Sequence, residues 1–252
     1  MPDISDKALL AKILCFPKSS CEDFSERLRQ LHQLNVTRLI SNGHHKVNGF
    51  HVLGKGHDSL VVKACIGNNV LVALKIRRVD SHVKDLIMEA ENQKIANSIG
   101  IGAKVLGYTR DIIAMELIEG LHIEDFIRQS PPSEIIKVLR NLFEQCFKLD
   151  LIGLDHGELS RAYRHVIVSQ GRPVIIDFGS SSRNRRPSNL PSIFSFLFLS
   201  NTSLSKNLLE KLNLSLPRDV AIEALREYKA NPSHESFRKV LYLIGFEEWR
   251  QG

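Results

Sequence analysis

The spacing of apolar positions changes twice along the chain, from helical to strand-like and back to helical. Apolar side chains in residues 4–14 and 21–34 recur at helical intervals, which predicts two helices separated by Pro17. A short strand is predicted at 37–40. We interpret residues 1–46 as a helical N-terminal extension.

The next stretch, residues 47–118, has the pattern of a β-rich region with one helix. Runs of β-branched and aromatic side chains predict strands at 50–53, 60–62, 70–76, 105–108 and 112–117. One helix is predicted at 81–98, and Gly100 follows it as glycines commonly do at helix ends.

The remainder, residues 119–252, is predicted to be mostly helical after a break at Gly120. Its helices are predicted at 122–129, 134–149, 204–212, 217–230 and 233–244. An apolar run at 193–199 is too short to span a bilayer. We expect this run to pack in the interior, although the sequence alone also allows a docking surface.

A β-hairpin interrupts this helical part. Two β-rich triplets, 166–168 and 174–176, flank a turn at Gly171. Glu158 lies in the loop before the first strand and Asp177 follows the second, so both carboxylates reach the same end of the hairpin. Phosphoryl transfer from ATP requires one acid to handle a hydroxyl proton and one to hold a metal ion.

A glycine-containing turn is predicted between the strands at 50–53 and 60–62. Gly54 and Gly56 allow the backbone to fold closely over phosphate groups and to offer its N–H groups to them. Taken alone, this turn is equally well explained as an ordinary hairpin turn.

Lys75 lies inside the apolar strand at 70–76. A buried ammonium group needs a negative partner, because an unpaired buried charge is costly. Glu89 and Glu91 in the following helix are candidate partners, and nucleotide phosphates would be further ones. The alternative is a lysine at the edge of a strand that reaches solvent.

A fourth element follows the last strand of the β-rich region. Residues 115–120 could present backbone groups of Glu116 and Ile118 to the edge of an adenine ring. An ordinary strand end explains this segment equally well by itself. The four elements nevertheless occur in one order, on the strands and turns where each is needed.

Composition and charge change this picture little. With 43% hydrophobic and 25% charged residues, the chain has the composition of an ordinary folded protein. The net charge of +6 suits a nucleotide substrate and permits an RNA or ribonucleoprotein partner. A solvated basic surface explains the charge equally well.

The cysteines and histidines give no further site. None of the four cysteines forms a C-x-x-C pair, so we expect neither a zinc site nor a disulfide framework. The N-terminal residues lack a signal-peptide pattern, which favours a cytoplasmic protein without membrane contact. Four histidines around the glycine turn are interpreted as solvent-facing residues rather than metal ligands: His44, His45, His51 and His57.

Together these segments resemble the protein-kinase-like superfamily, and within it the atypical RIO kinases and the small kinase of the tRNA threonylcarbamoyl-adenosine complex. The segment VALK, which ends at Lys75, resembles the strand-lysine motif, and AMELIEG resembles the hinge. HGELS resembles the H-G-D-L-S/T catalytic loop, also found in a predicted archaeal Ser/Thr kinase family, and IIDFGSSS resembles the metal-binding D-F-G segment. EAENQKIANSIGIG resembles the RIO-type helix, whose spacing favours Glu89 over Glu91.

The resemblance implies an α+β, bilobal protein-kinase-like fold with ATP and Mg²⁺, or Mn²⁺, as cofactors. Residues 47–118 would form an antiparallel β-rich N-lobe and residues 119–252 a minimal, mostly helical C-lobe. Lys75 would hold the α- and β-phosphates, Glu89 would hold Lys75, and Asp177 would bind the metal ion. The residues assigned to nucleotide contacts are Gly54, Lys55, Gly56, Ser59, Val61, Ala73, Lys75, Met115, Glu116 and Ile118.

The catalytic loop departs from the family pattern. Glu158 replaces the catalytic Asp, which keeps a carboxylate base but places it one methylene further from the backbone. The metal-binding Asn corresponds to Tyr163 by counting from Glu158, or to His165 by anchoring on the strand at 166–168. We prefer His165 as a metal ligand, although imidazole binds Mg²⁺ less well than an amide oxygen does.

Two further departures concern the loops. Gly157 occupies the position of the arginine in the H-R-D motif, so we do not expect activation through a phosphorylated loop. Ser59 occupies the position of the third glycine of the phosphate loop, which RIO-like loops tolerate.

The expected function is that of an ATP-dependent atypical Ser/Thr protein kinase, acting on a protein substrate or mainly on itself. One alternative is a kinase-fold ATPase that acts as an assembly factor for a ribonucleoprotein or tRNA-modification complex, with Arg183, Arg185 and Arg186 contacting RNA. Another is a pseudokinase scaffold. A small-molecule phosphotransferase is less favoured, because the helical half is too short for a substrate-binding insertion.

Overall fold

A computed structural model of the protein describes residues 6–246. They form two compact units. The first comprises the described residues up to Asn97 together with Ala103–Ile118, and the second comprises Ser98–Gly102 and the described residues from Glu119 onward. The outermost parts of the predicted extension and of the predicted C-lobe lie outside the described residues.

The two helices predicted near the N-terminus are confirmed: α1 spans Lys7–Leu14 and α2 spans Phe24–Gln33. Asp6 caps α1, because its Oδ1 accepts a hydrogen bond from the N–H of Leu9 at 3.1 Å. This bond satisfies one of the backbone donors that the first turn of a helix leaves without a partner.

An antiparallel sheet forms the body of the first unit. The strands of this unit are β1 Val36–Ile40, β2 His45–Val47, β3 Phe50–Val52, β4 Gly54–Lys55, β5 Ser59–Ile66, β6 Val70–Arg77, β7 Val105–Tyr108 and β8 Ile112–Glu116. Five strands of the sheet lie in the order β1-β5-β6-β8-β7, and β4 also pairs with β5. The strands β2 and β3 form a separate hairpin.

The helix α3 begins later than predicted, spanning Ile87–Ser98 rather than 81–98. Short polar side chains bond the preceding backbone and compete with a helix there. The hydroxyl of Ser81 accepts a hydrogen bond from the N–H of Val83 at 3.0 Å. The carboxylate of Asp85 accepts one from the N–H of Ile87 at 3.0 Å, so the helix starts only there.

One face of the sheet packs against the N-terminal helices. Every second residue of the central strands enters this core, as expected for alternating side chains in a strand. The shared apolar cluster includes Leu10, Ile13 and Leu14 of α1 together with Leu60, Val62, Leu74 and Ile76 of the sheet. The first helix is thus part of the core of the first unit.

A buried polar network also ties α2 to the sheet. The guanidinium of Arg27 donates to the carbonyl oxygens of Leu14 at 3.0 Å and Arg77 at 2.6 Å. Gln30 donates to the Asp111 carboxylate at 2.9 Å, and Arg77 donates to the same carboxylate at 2.5 Å. Burial would raise the pKa of Asp111, but the Gln30 hydrogen bond and the two arginines hold it below its usual value.

The expectation of no disulfide is wrong. Cys15 and Cys21 form a disulfide in the connection between α1 and α2, with Cα atoms 5.4 Å apart. The spacing rules for cysteine motifs do not cover this pair, because its proximity depends on the packing of two helices. Cys65 and Cys146 are buried thiols.

The second unit is mostly helical. Its regular elements are β9 Leu121–His122, α4 Ile123–Gln129, α5 Pro132–Leu151, α6 Ala162–His165, β10 Val166–Ser169, β11 Arg172–Ile175, α7 Asn189–Phe194, α8 Ser203–Lys211, α9 Arg218–Ala230 and α10 His234–Tyr242. The three strands form a small sheet with the order β11-β10-β9. Short 3₁₀ turns lie at Leu159–Arg161 and Phe178–Ser180, and a π-helical turn at Ser195–Leu199. The predicted hairpin is confirmed as β10 and β11.

The break at Gly120 has a steric cause. A Cβ atom at this position would lie 2.1 Å from the carbonyl oxygen of Val168 on β10, so only glycine fits.

The apolar run at 193–199 contributes to the core as predicted, since Ile193, Phe194 and Leu197 are fully buried. In residues 6–246, no helix combines the length and apolarity needed to cross a membrane.

An antiparallel β-sheet region followed by a helical region makes the protein α+β, as predicted. This order of elements is consistent with a bilobal kinase-like fold.

Candidate functional site

The structure brings Lys75 and Glu89 together. Lys75 lies on the central strand β6 and is only 6% exposed, so it does not reach solvent from a strand edge. Its ammonium group donates a hydrogen bond to a carboxylate oxygen of Glu89, which lies in the first turn of α3 and is 8% exposed. The buried cation therefore has the negative partner that its burial requires.

Glu91, the other candidate partner, bonds elsewhere. Its carboxylate accepts a hydrogen bond from the hydroxyl of Tyr108 on β7, which raises the pKa of Tyr108. The contact to Lys75 thus falls on the glutamate that the spacing favoured, and Glu91 provides a natural control for experiments on Glu89.

Several of the assigned nucleotide residues lie on one face of the sheet. Lys75 pairs across strands with Val61 of β5, and Ala73 pairs with Met115 of β8. Directly paired residues share a face, as do residues two apart on one strand. The sheet thus carries Val61, Ala73, Lys75 and Met115 on the face opposite the one that packs against α1.

The turn at 54–59 is built by strand pairing rather than by unusual backbone angles. Gly54 pairs with Val61, and the N–H of Gly56 donates to the carbonyl oxygen of Ser59 at 2.8 Å. Both glycines lie outside the left-handed region, and a Cβ at Gly54 would make only ordinary contacts at 3.6 Å. Neither glycine is therefore required by the backbone conformation of the turn.

Arg78 holds this turn, which the sequence did not indicate. Its N–H donates to the carbonyl oxygen of Asp58 at 2.8 Å, and its guanidinium donates to the carbonyl oxygen of Gly56 at 2.9 Å. The hydroxyl of Ser81 donates to the carboxylate of Asp58 at 2.7 Å. A turn bonded at two backbone positions keeps its shape without a ligand.

The predicted hinge begins at the end of β8. The N–H of Glu116 donates to the carbonyl oxygen of Lys104 at 2.8 Å, so the carbonyl is the backbone group that Glu116 could offer to an adenine edge. Ile118 lies two residues beyond and is the last residue of the first unit before the chain enters the second.

In the second unit, Glu158, His165 and Asp177 form one cluster. Nε2 of His165 lies 3.2 Å from Oε2 of Glu158, and Nδ1 lies 3.8 Å from Oδ2 of Asp177. One ligand atom from each of the three lies within 4.8 Å of the others, a spacing that could hold a metal ion. The ring of Tyr163 instead stacks on Phe196 at 6.2 Å.

The donor set fits a divalent ion. Carboxylate oxygens are the ligands of Mg²⁺ and Mn²⁺, and an imidazole nitrogen favours Mn²⁺ over Mg²⁺. Asp177 adopts a left-handed backbone conformation with φ of 66°, which is strained for a residue other than glycine. The fully buried Phe178 beside it packs edge-on against the ring of His156 at 5.0 Å.

Arg161 completes the surroundings of Glu158. Its guanidinium donates a hydrogen bond to Oε1 of Glu158, whereas His165 lies beside Oε2. A carboxylate offers about four lone-pair sites, so Glu158 can accept a hydrogen bond from a hydroxyl group with both partners in place. Arg161 is the more exposed partner, because its side chain is 55% exposed and that of His165 is buried.

A buried network that sequence reasoning missed supports the catalytic-loop segment. The N–H of His156 donates to the side chain of Asn189 at 2.8 Å, and Asn189 in turn donates to the Asp150 carboxylate at 2.8 Å. Burial lowers the pKa of His156 to about 4, assisted by the nearby His165. Burial raises the pKa of Asp150, although Asn189 and Tyr228 hydrogen-bond to it.

An arginine from the later segment packs against Gly157. A Cβ at Gly157 would lie 2.1 Å from a guanidinium nitrogen of Arg185, which pairs with the Asp155 carboxylate. Arg186 donates to the carbonyl oxygen of Ala230 at 2.6 Å. Two of the three arginines considered for RNA contact therefore bond within the second unit.

The chain matches known proteins over only part of its length. No family model matches it. An uncharacterized protein of Methanocaldococcus jannaschii is 25% identical over 114 residues, which are 45% of this chain and 94% of that protein. The KEOPS complex subunit Bud32 of Pyrococcus abyssi is 37% identical over 68 residues, which are 27% of this chain and 30% of Bud32. The partial similarity to Bud32 supports a relationship to the kinase-like superfamily and no finer assignment.

Proposed function

We propose that the protein binds ATP with a divalent metal ion and transfers the γ-phosphoryl group to a serine or threonine hydroxyl, mainly its own. The observation that carries this proposal is the buried Lys75–Glu89 pair on the sheet face that also presents Val61, Ala73 and Met115. A lysine held in this way meets the α- and β-phosphates in kinase-type phosphoryl transfer.

The nucleotide would be bound by groups of the first unit. The turn at 54–59 would cover its phosphates with backbone N–H groups, and Lys75 would neutralise part of their charge. The carbonyl of Glu116 and the backbone of Ile118 would meet the adenine edge. Val61 and Ala73 would supply apolar contacts to the base.

The second unit would supply the metal ligands and the base. Asp177 and His165 would hold a divalent ion, which when bound neutralises charge on the transferring phosphoryl group. Glu158 would accept the proton of the attacking hydroxyl. The hydroxyl oxygen then bonds to the γ-phosphorus as the bond to the ADP oxygen breaks.

Label transfer tests this proposal. The full chain is incubated with γ-labelled ATP and either Mg²⁺ or Mn²⁺, and label on the protein is measured over time. Lys75→Met and Asp177→Ala should each lower the rate at least about a hundredfold, since each removes charge stabilisation in the transition state. Lys46→Met, at an exposed strand position, is the control and should keep the rate. Equal labelling of all four proteins would refute a kinase.

A second candidate is a kinase-fold ATPase that works as an assembly factor. The KEOPS complex membership in the name of Bud32 supports a role within a larger assembly. Release of inorganic phosphate without label on protein would favour the ATPase. The same background-level turnover by Glu158→Gln and wild type would favour a scaffold without chemistry.

A further inference from the structure

The disulfide segment between α1 and α2 contacts the residues that shape the turn at 54–59. Phe16 directly follows Cys15 and is buried. Its carbonyl oxygen accepts a hydrogen bond from the N–H of Val79 at 3.0 Å. The Lys55 ammonium lies 5.3 Å from the centre of its ring, and the Arg78 guanidinium lies 5.0 Å from it.

Both cations on this ring belong to the turn or hold it. Lys55 is the last residue of β4, directly before Gly56. Arg78 bonds the turn at the carbonyl oxygens of Gly56 and Asp58, and Asp80 orients its guanidinium through two hydrogen bonds of 2.9 and 2.7 Å. An aromatic ring attracts cations over its face, so Phe16 supports both contacts at once.

The disulfide fixes the segment that carries Phe16. The helix α1 ends at Leu14 and α2 begins at Phe24, and the bond between Cys15 and Cys21 closes the irregular chain between them into a small ring. Opening this ring restores conformational freedom to the segment. Phe16 would then lose the covalent constraint beside it and keep its hydrogen bond to Val79 and its packing.

We propose that the Cys15–Cys21 disulfide controls the order of the turn at 54–59 through Phe16 and Arg78, and thereby the affinity for nucleotide phosphates. The effect on the turn stands on the contacts within the first unit. The effect on nucleotide affinity rests in addition on the proposed function.

The burial of the two cysteine residues favours one course for the reductive step. Cys15 is fully buried and Cys21 is partly exposed as a residue, so we place the attack of a dithiol's thiolate at Sγ of Cys21. The disulfide bond breaks, and Sγ of Cys15 takes the electron pair and then a proton. The second thiol of the reductant displaces Cys21 from the mixed disulfide, which leaves two protein thiols and an oxidised dithiol.

Hydrogen exchange on the nucleotide-free full chain tests the effect on the turn. Peptides covering residues 54–59 are compared before and after treatment with dithiothreitol. Reduction should speed their exchange roughly tenfold, the factor that corresponds to losing one such cation–ring contact. Peptides covering β10 and β11 are the internal control and should not change.

Two variants separate the disulfide from the ring. The double variant Cys15→Ser, Cys21→Ser should exchange like the reduced protein and should not respond to dithiothreitol. Phe16→Leu keeps the disulfide but lacks the ring, so the turn should exchange fast in both redox states. Equal exchange by oxidised wild type, reduced wild type and Phe16→Leu would overturn the proposal, as would a reduction effect that persists undiminished in Phe16→Leu.

A binding measurement separates this inference from the proposed function. The affinity for ATP with Mn²⁺ should fall several-fold when wild type is reduced, and it should not change on reduction of Phe16→Leu. If neither redox state binds ATP, the proposed function fails, while the hydrogen exchange result still decides whether the disulfide controls the turn. Tight ATP binding that is unaffected by reduction would refute the regulatory part alone.

Discussion

The two units differ in how their buried ionisable groups are stabilised. In the first unit, buried ionic groups are paired: Lys75 with Glu89, and Arg27 and Arg77 with Asp111. In the second unit, burial pushes His156 and Asp150 toward their neutral forms. The two carboxylates beside His165 are more exposed, since the Glu158 side chain is 21% exposed and that of Asp177 is 45% exposed.

This difference corresponds to two tasks in the proposed reaction, the positioning of phosphates and the binding of a metal ion and a proton. A buried pair between a strand and a helix holds its geometry without a ligand, which suits the positioning of phosphates. Partly exposed carboxylates can exchange partners, which suits binding a metal ion and accepting a proton. The proposed function therefore assigns fixed charge to the first unit and more exposed carboxylates to the second.

Removing one charge from the buried network of the first unit should have the largest effect on stability. Asp111→Ala leaves Arg27 and Arg77 buried without their carboxylate and should lower the free energy of unfolding by about 3–5 kcal/mol. Asp80→Ala is the matched control at a more exposed ion pair and should cost less than about 1 kcal/mol. Urea unfolding measures both. Similar losses for the two variants would break the contrast between buried and exposed pairs.

The neutral burial of His156 predicts a pH dependence in the second unit. Its pKa is about 4 in the folded protein, against about 6.5 when unfolded. Below pH 6.5 the unfolded chain binds a proton that the folded chain does not, so stability falls as pH falls from about 6.5 to about 4. Between pH 7 and pH 5 this contribution amounts to roughly 2 kcal/mol.

The variant His156→Gln isolates this contribution, because glutamine does not titrate. The difference in unfolding free energy between pH 7 and pH 5 should be smaller in the variant by that amount. An unchanged pH dependence would mean that His156 is already charged in the folded protein, contrary to its burial.

The strained backbone of Asp177 predicts a smaller gain in stability. Asp177→Gly relieves the left-handed conformation and should raise the free energy of unfolding by about 1 kcal/mol, while removing a proposed metal ligand. Asp177→Ala removes the same carboxylate but keeps the strain, so it should show no such gain. Urea unfolding measures the change in stability, and Mn²⁺ titration measures the loss of metal binding. Equal stability of the glycine and alanine variants would show that the backbone is not strained there.

Regular elements could be predicted because their signal is local. Strand periodicity placed Lys75, and the resemblance to the RIO-type helix favoured Glu89 over Glu91 as its partner. The strand after the catalytic loop likewise identified His165 rather than Tyr163 as the residue beside the two acids.

What the sequence could not predict depends on contacts between distant segments. Arg78 shapes the turn at 54–59, Asn189 supports the segment at His156, and Cys15 meets Cys21 through the packing of two helices. These side chains follow no periodic pattern along the chain, because the tertiary structure determines which residues they contact. The start of α3 was misplaced for a related reason, since Ser81 and Asp85 bond the backbone locally instead of extending the helix.

The central claim is that the Lys75–Glu89 pair forms part of a nucleotide site, and calorimetric titration with ATP and Mn²⁺ tests it most directly. Wild type should bind saturably. Glu89→Gln should weaken binding at least about tenfold, because Lys75 loses its partner, whereas Glu91→Gln should bind like wild type. The absence of saturable binding by wild type, or an equal loss in both glutamine variants, would contradict this account.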